Sequence, residues 1–145
     1  MKDDNCIFCQ IIERKIDSKI IFENEKVITF LDVFPVSRGH MITVPKNHYQ
    51  NLEDIPDDDL AEVFKIVKKM AKLIHKKLNL DGYNILQNNF TAAGQVINHF
   101  HVHIIPRSKN DNRFKLKIPR IQANNKELND TLELLKGGFL KNSSV

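Results

Sequence analysis

The stretch Asn98-His99-Phe100-His101-Val102-His103-Ile104-Ile105 sets three imidazoles two residues apart. Side chains of an extended chain alternate between faces, so His99, His101 and His103 share one face while Phe100, Val102 and Ile104 back them with core. A single histidine on an apolar strand is an ordinary core residue. Three at period two suggest a site, because imidazole titrates near neutrality and serves as nucleophile, acid, base or metal ligand. Directly before them lies Thr91-Ala92-Ala93-Gly94-Gln95-Val96. In this loop Gly94 allows close backbone approach and Gln95 offers an uncharged amide donor, a combination that suits phosphate oxygens. A second constellation is Cys6-Ile7-Phe8-Cys9. Alone it admits a zinc pair, a redox pair or two buried thiols, and a tetrahedral metal site needs two further ligands.

These groups need elements to hold them. Apolar residues at positions 7, 8, 11 and 12 predict a short amphipathic helix that carries both cysteines. Residues 19–23 and 26–32 read as antiparallel strands joined at hairpin distance by Asn24 and Glu25. After a break at 35–39, residues 40–45 read as a third strand that His40 opens behind a glycine. Leu60, Val63, Phe64, Val67, Ala71, Ile74 and Leu78 keep a spacing of three to four, which predicts a long helix over 57–78. That helix is acidic at its start and basic at its end, as the macrodipole favours. Residues 83–88 and 98–106 complete five strands, and 124–136 form a candidate last helix. The expected fold is α+β: a five-stranded, largely antiparallel sheet with a long helix, a short N-terminal helix and a C-terminal helix.

No repeat, low-complexity run or linker divides the 145 residues, so one domain is expected over 1–145, with the motifs between about 6 and 107 and an extension over 108–145. A 41% hydrophobic, 28% charged composition supports a packed core and excludes a disordered or collagen-like chain. Twenty-two basic against eighteen acidic residues give +4, which suits a phosphate-bearing partner. The aromatic and basic interleaving of a single-strand platform is missing, so no nucleic-acid partner is expected. No apolar run approaches the roughly 18 residues of a membrane span. The start is polar and acidic, and the cysteines are spaced for a metal or redox pair rather than a staple, so a cytoplasmic protein without a membrane partner is expected.

With these motifs in place, the sequence resembles the histidine triad family, whose signature His-φ-His-φ-His-φ-φ, with φ apolar, is matched by residues 99–105. Residues 6–12, 30–35, 39–46 and Gly94-Gln95 fall in the order and spacing of its Hint-like bacterial branch. The resemblance implies a hydrolase or transferase acting at the α-phosphorus of purine nucleoside phosphoramidates or related nucleotides, through a covalent nucleotidyl intermediate on His101. Alternatives are a dinucleoside polyphosphate hydrolase and, in another class, a non-catalytic zinc-stabilised nucleotide-binding module. The resemblance implies that His103 contacts the phosphoryl group or protonates the leaving group, that Gln95 holds a non-bridging oxygen beside Gly94 and Val96, and that His40 orients the triad. Asp32 is implied for the ribose hydroxyls, Asn88 for the phosphate side, and Phe8, Ile11, Phe30 and Val33 for the base. His48 and His99 are implied to join Cys6 and Cys9 around zinc, which is structural because four protein ligands leave no open position. Relatives are homodimers, so a homodimer is expected. The family commonly has Ser or Thr after the glutamine; Val96 keeps the backbone N–H there but lacks a hydroxyl for the leaving group.

Overall fold

The computed structural model describes residues 2–113 and 121–141, the last three by backbone alone. They fall into two units, Met1–Phe114 and Lys115–Val145. The first holds all five strands and every candidate site residue. Helix α1 (Ile7–Ile12) takes Cys6 as its N-cap and buries Phe8, Cys9, Ile11 and Ile12. Strands β1 (Ile20–Glu23) and β2 (Val27–Leu31) pair antiparallel. Asn24 closes their turn by accepting the N–H groups of Lys26 and Val27 on its side-chain oxygen, at 2.9 and 2.8 Å. Strands β3 (Met41–Pro45), β4 (Gly82–Leu86) and β5 (Val102–Arg107) complete one sheet of order β1-β2-β3-β5-β4, antiparallel at every pairing.

The sheet is covered on two faces because its strands alternate. Val27, Met41, Val102 and Ile104 point into a core with Val63, Val67 and Ile74 of α2 (Asp57–Lys77). Ile28, Phe30, Ile42 and Val44 point the other way and pack with Phe8, Cys9, Ile11 and Ile12 of α1. Gly39 lets the chain into β3: its φ is +87°, and a Cβ there would lie 2.7 Å from Ile74 Cδ1 and 2.9 Å from Leu78 Cδ1. That close approach delivers His40 to the edge of β3.

Two strand ends differ from the expected ranges by more than one residue, for a reason of pairing. The fifth strand begins at Val102 rather than 98, since the pairings with β3 and β4 reach only Thr43↔Val102 and Leu86↔His103. Upstream, the Phe100 N–H donates to the Tyr49 carbonyl at 2.6 Å instead. Alternation nevertheless carries on beyond the strand, with Phe100 wholly buried in the α2 core. The fourth strand ends at Leu86, where its ladder with β5 stops, so Asn88 stands in the loop behind it. In the second unit α3 (Asn125–Lys141) runs past 136 through Gly137 and Gly138, and the Asn124 side chain accepts the Glu127 N–H at 2.9 Å at its start. Among the described residues no helix is long and apolar enough to cross a membrane.

Candidate active site and metal cluster

The stretch before β5 turns one imidazole onto its own backbone. His101 Nδ1 lies 2.6 Å from the His99 carbonyl. A carbonyl only accepts, so Nδ1 carries the proton and Nε2 keeps a lone pair for the pocket that His101 lines. Burial holds the His101 pKa below the ordinary imidazole value, while the His99 carbonyl and Asp32 act to raise it. The ring is therefore neutral near pH 7. Phe8 packs edge-on against it with centroids 5.2 Å apart.

A second pair of imidazoles is set by a backbone donor. The Val36 N–H donates to His40 Nδ1 at 3.1 Å, which forces the proton of a neutral His40 onto Nε2. His40 Nε2 lies 2.9 Å from His103 Nδ1. The bond thus runs from His40 to His103 and leaves the His103 proton on Nε2, so this ring offers a neutral N–H. Burial pulls His40 down, against the Asp32 carboxylate, whose Oδ2 is 3.6 Å away. His103 is pulled to about 4 by burial and by its neighbours His101 and His40, again against Asp32. A group that protonates only near pH 4 serves as a hydrogen-bond donor at neutral pH rather than as a reservoir of acid. Of the two roles the resemblance implies for His103, this geometry favours contact with the phosphoryl group.

His101 and His103 open onto a cavity of about 400 Å³ that also meets Asp32, Phe8, Ile11, Phe30, Val33, Gly94 and Val96. Ligand pockets start at roughly 300 Å³. Phe8, Ile11 and Phe30 form its buried floor, whereas Val33, 76% exposed, stands at its rim. Gly94, at φ +86°, turns the loop after the short 3-10 segment Thr91–Ala93. Asn88 Nδ2 reaches the Gly94 carbonyl at 3.4 Å. Val96 is 90% exposed at the rim.

Gln95 departs from its expected placement. Its amide nitrogen donates to the Gln50 and Ile97 carbonyls at 2.6 and 3.1 Å, and its oxygen accepts the Phe90 N–H at 2.8 Å. Buried and engaged at both ends, this side chain braces the loop from behind. A non-bridging phosphate oxygen would meet the loop through Gly94 and Val96 rather than through the Gln95 amide.

On the other side of Phe8, four donors converge. Cys6 Sγ lies 3.4 Å from His99 Nδ1, and Cys9 Sγ lies 3.5 Å from His48 Nδ1 and 3.7 Å from His99 Nδ1. All four donor atoms lie within 4.8 Å of one another. A tetrahedral zinc with about 2.3 Å Zn–S and about 2.0 Å Zn–N bonds needs S···N edges of about 3.5 Å, so the spacing fits. The tautomer fits too. His99 Nε2 donates to the Pro45 carbonyl at 2.9 Å, which fixes the proton there and leaves Nδ1 free to ligate. Burial pulls His99 to about 4 and raises the Cys9 thiol; a metal would reverse the latter by taking the thiolate.

The structure thus divides the triad: His101 and His103 face the cavity, while the His99 ring turns to the cysteines. Asn88, Gln95, His40 and His48 do not line the cavity. Sequence reasoning missed Ile16, Asp17, Ser18 and Phe34 in its wall and Val36 behind His40. Alternation points to none of them, since they lie in connections whose course the sheet decides.

The sequence and the fold have counterparts among known proteins. The HIT domain model matches residues 13–110. The HIT-like protein MJ0866 of Methanocaldococcus jannaschii is 44% identical over 132 residues, covering 91% of this chain and 99% of that protein. Adenosine 5'-monophosphoramidase HNT1 of Candida albicans is 41% identical over 107 residues, 71% of this chain and 70% of that protein. A crystal structure of a Zn-bound histidine triad family protein from Mycobacterium smegmatis superposes with a TM-score of 0.73 at 29% identity, covering 92% of this chain and 97% of that one.

Proposed function

The chain belongs to the histidine triad family, and from that premise we propose that it hydrolyses nucleotides at the α-phosphorus through a nucleotidyl intermediate on His101. The observation that carries this reading is the 2.6 Å contact of His101 Nδ1 with the His99 carbonyl at the wall of a nucleotide-sized cavity. It supplies a neutral nucleophile with a fixed tautomer, and no anion has to approach an anionic phosphate. In the first step His101 Nε2 forms a bond to phosphorus and the leaving group departs with the electron pair of its own bond, taking a proton from solvent at the open rim. The ring becomes cationic, and the hydrogen bond from Nδ1 to the carbonyl strengthens as that charge grows. His103 Nε2–H holds a phosphoryl oxygen. Water then displaces the imidazole and releases a nucleoside monophosphate. In this reading Asp32 takes the ribose hydroxyls and the Phe8, Ile11 and Phe30 floor takes the base, with Val33 at its edge, which their shared cavity supports.

The relative named as an adenosine 5'-monophosphoramidase supports an amine leaving group. Incubation with adenosine phosphoramidate, with release of AMP read by chromatography, tests the reading, and a panel including dinucleoside polyphosphates identifies the preferred leaving group. No AMP release from any of these would refute it. We assign Cys6, Cys9, His48 and His99 to a structural zinc, supported by their spacing and by the Zn-bound relative. Bound there, the metal would supply a rigid cross-link between α1 and the stretch before β5. A symmetric dimer is supported by β4, an edge strand that exposes Tyr83 and Ile85, and by exposed Phe64 and Leu73 on α2.

A further inference from the structure

The cavity wall contains two polar side chains that neither the histidines nor the metal cluster uses. Besides Asp32, His101 and His103, its polar residues are Asp17 and Ser18, next to Ile16 and Phe30. Among the described residues neither the Asp17 carboxylate nor the Ser18 hydroxyl has a hydrogen-bond or ion-pair partner.

The sheet explains why they are there. The Leu31 N–H donates to the Lys19 carbonyl at 2.9 Å, and Ile20 pairs with Phe30. The chain leading into β1 therefore runs antiparallel beside the end of β2, where Phe30 and Asp32 stand. A nucleotide with its ribose at Asp32 and its base on Phe30 and Phe8 has residues 16–18 along the border of that base. Apolar contacts hold any purine there. Along that border Asp17 and Ser18 carry the polar side chains, which can distinguish one purine edge from another.

We propose that Asp17, with Ser18, reads the base and selects guanine over adenine nucleotides. The inference rests on the nucleotide reading of the cavity given above. An ionised carboxylate only accepts hydrogen bonds. Guanine presents two adjacent donors, N1–H and the N2 amine, which match its two oxygens, and an O6 acceptor for the Ser18 hydroxyl. Adenine presents one donor beside the N1 lone pair, which a carboxylate oxygen repels. A site that pairs with a polar edge rejects the analogue lacking it because its own groups are left unpaired. Asp17 is exposed, so water competes and the preference is modest, about tenfold.

Calorimetric titration with GMP, IMP and AMP tests the proposal. The expected order is GMP tightest, about tenfold over AMP, with IMP between because it keeps N1–H and lacks the amine. Asp17→Asn, which offers a donor as well as an acceptor, should bring the GMP to AMP ratio within about twofold. The ratio is the readout because any repulsion between Asp17 and the phosphate affects both ligands alike. Equal binding of GMP and AMP by the unaltered protein would overturn the selection while leaving the nucleotide site intact, as would a GMP preference that survives Asp17→Asn. Failure of every nucleotide to bind would overturn the nucleotide reading itself.

Discussion

His40→Ala should separate orientation from chemistry. His40 is 4% exposed on its side chain, accepts from the Val36 N–H at 3.1 Å and donates to His103 Nδ1 at 2.9 Å. Alanine strands both partners. An unsatisfied buried group costs about 1–3 kcal/mol, and because both partners are only part-buried and His103 can shift its proton, the loss of stability should stay within about 1–3 kcal/mol in total. With Nδ1 no longer required to accept, the His103 proton divides between its two nitrogens and Nε2–H is no longer assured toward the phosphoryl group. Loss of one fixed donor costs at most roughly 10²–10³ in rate; a ring that is freed rather than deleted should cost about 10–100-fold. His40→Gln provides the control. Its amide carries an acceptor oxygen and a donor nitrogen at about the separation of the two ring nitrogens, so both bonds can re-form without a titratable group. Rapid-quench measurement of nucleotidyl-His101 formation, at denaturant-free conditions where circular dichroism shows both variants folded, is the assay. Glutamine should recover most of the rate. If glutamine is as slow as alanine, His40 must move a proton itself and the tautomer argument fails; normal turnover by alanine would dismiss His40 altogether.

His101→Ala should abolish turnover while nucleotide affinity changes little, because Asp32 and the Phe8 and Phe30 floor remain; an adduct trapped on another residue would reassign the nucleophile. Elemental analysis should give about one zinc per chain, lost together with thermal stability in Cys9→Ser, since three ligands no longer close the site; stoichiometric zinc in a Cys6, Cys9 double variant would refute it. The His103 pKa is near 4 when folded against an ordinary 6.5, so the unfolded chain binds the extra proton between these values. The stability contributed above pH 6.5, about 3 kcal/mol, is therefore lost as pH falls through 4. Urea titrations between pH 4 and 7 should show that slope, and His103→Asn should lessen it by the share of one histidine, leaving the part due to His40, His99 and His101.

Much of this was legible because period and spacing carry it. Three histidines at every second position revealed their common side, and Phe100, Val102 and Ile104 revealed the core behind them. Of the four proposed metal donors, spacing offers Cys6 and Cys9 as one of several readings, whereas His48 and His99, far along the chain, come from the resemblance. What escaped depends on where backbone groups point. Val36 matters through its N–H, which no residue identity announces, and the Gln95 amide turns inward because the Gln50 and Ile97 carbonyls lie behind the loop. Asp17 and Ser18 lie in a connection whose course is set by the bond from the Leu31 N–H to the Lys19 carbonyl, which no residue type announces.

The two clusters of metal-type donors found among the described residues differ in one backbone group. Pro45 turns a carbonyl to His99, and Val36 turns an N–H to His40. For Asp32, His40 and His103, also within 4.8 Å of one another, to capture a cation, the proton on His40 Nε2 would have to move to Nδ1. There it would face the Val36 N–H, donor against donor. No such rearrangement stands in the way of the thiolate cluster. Zinc reaching this chain would therefore be sorted by tautomer as well as by ligand softness, and the imidazoles we assign to phosphate would be shielded from the ion we propose at the cysteines.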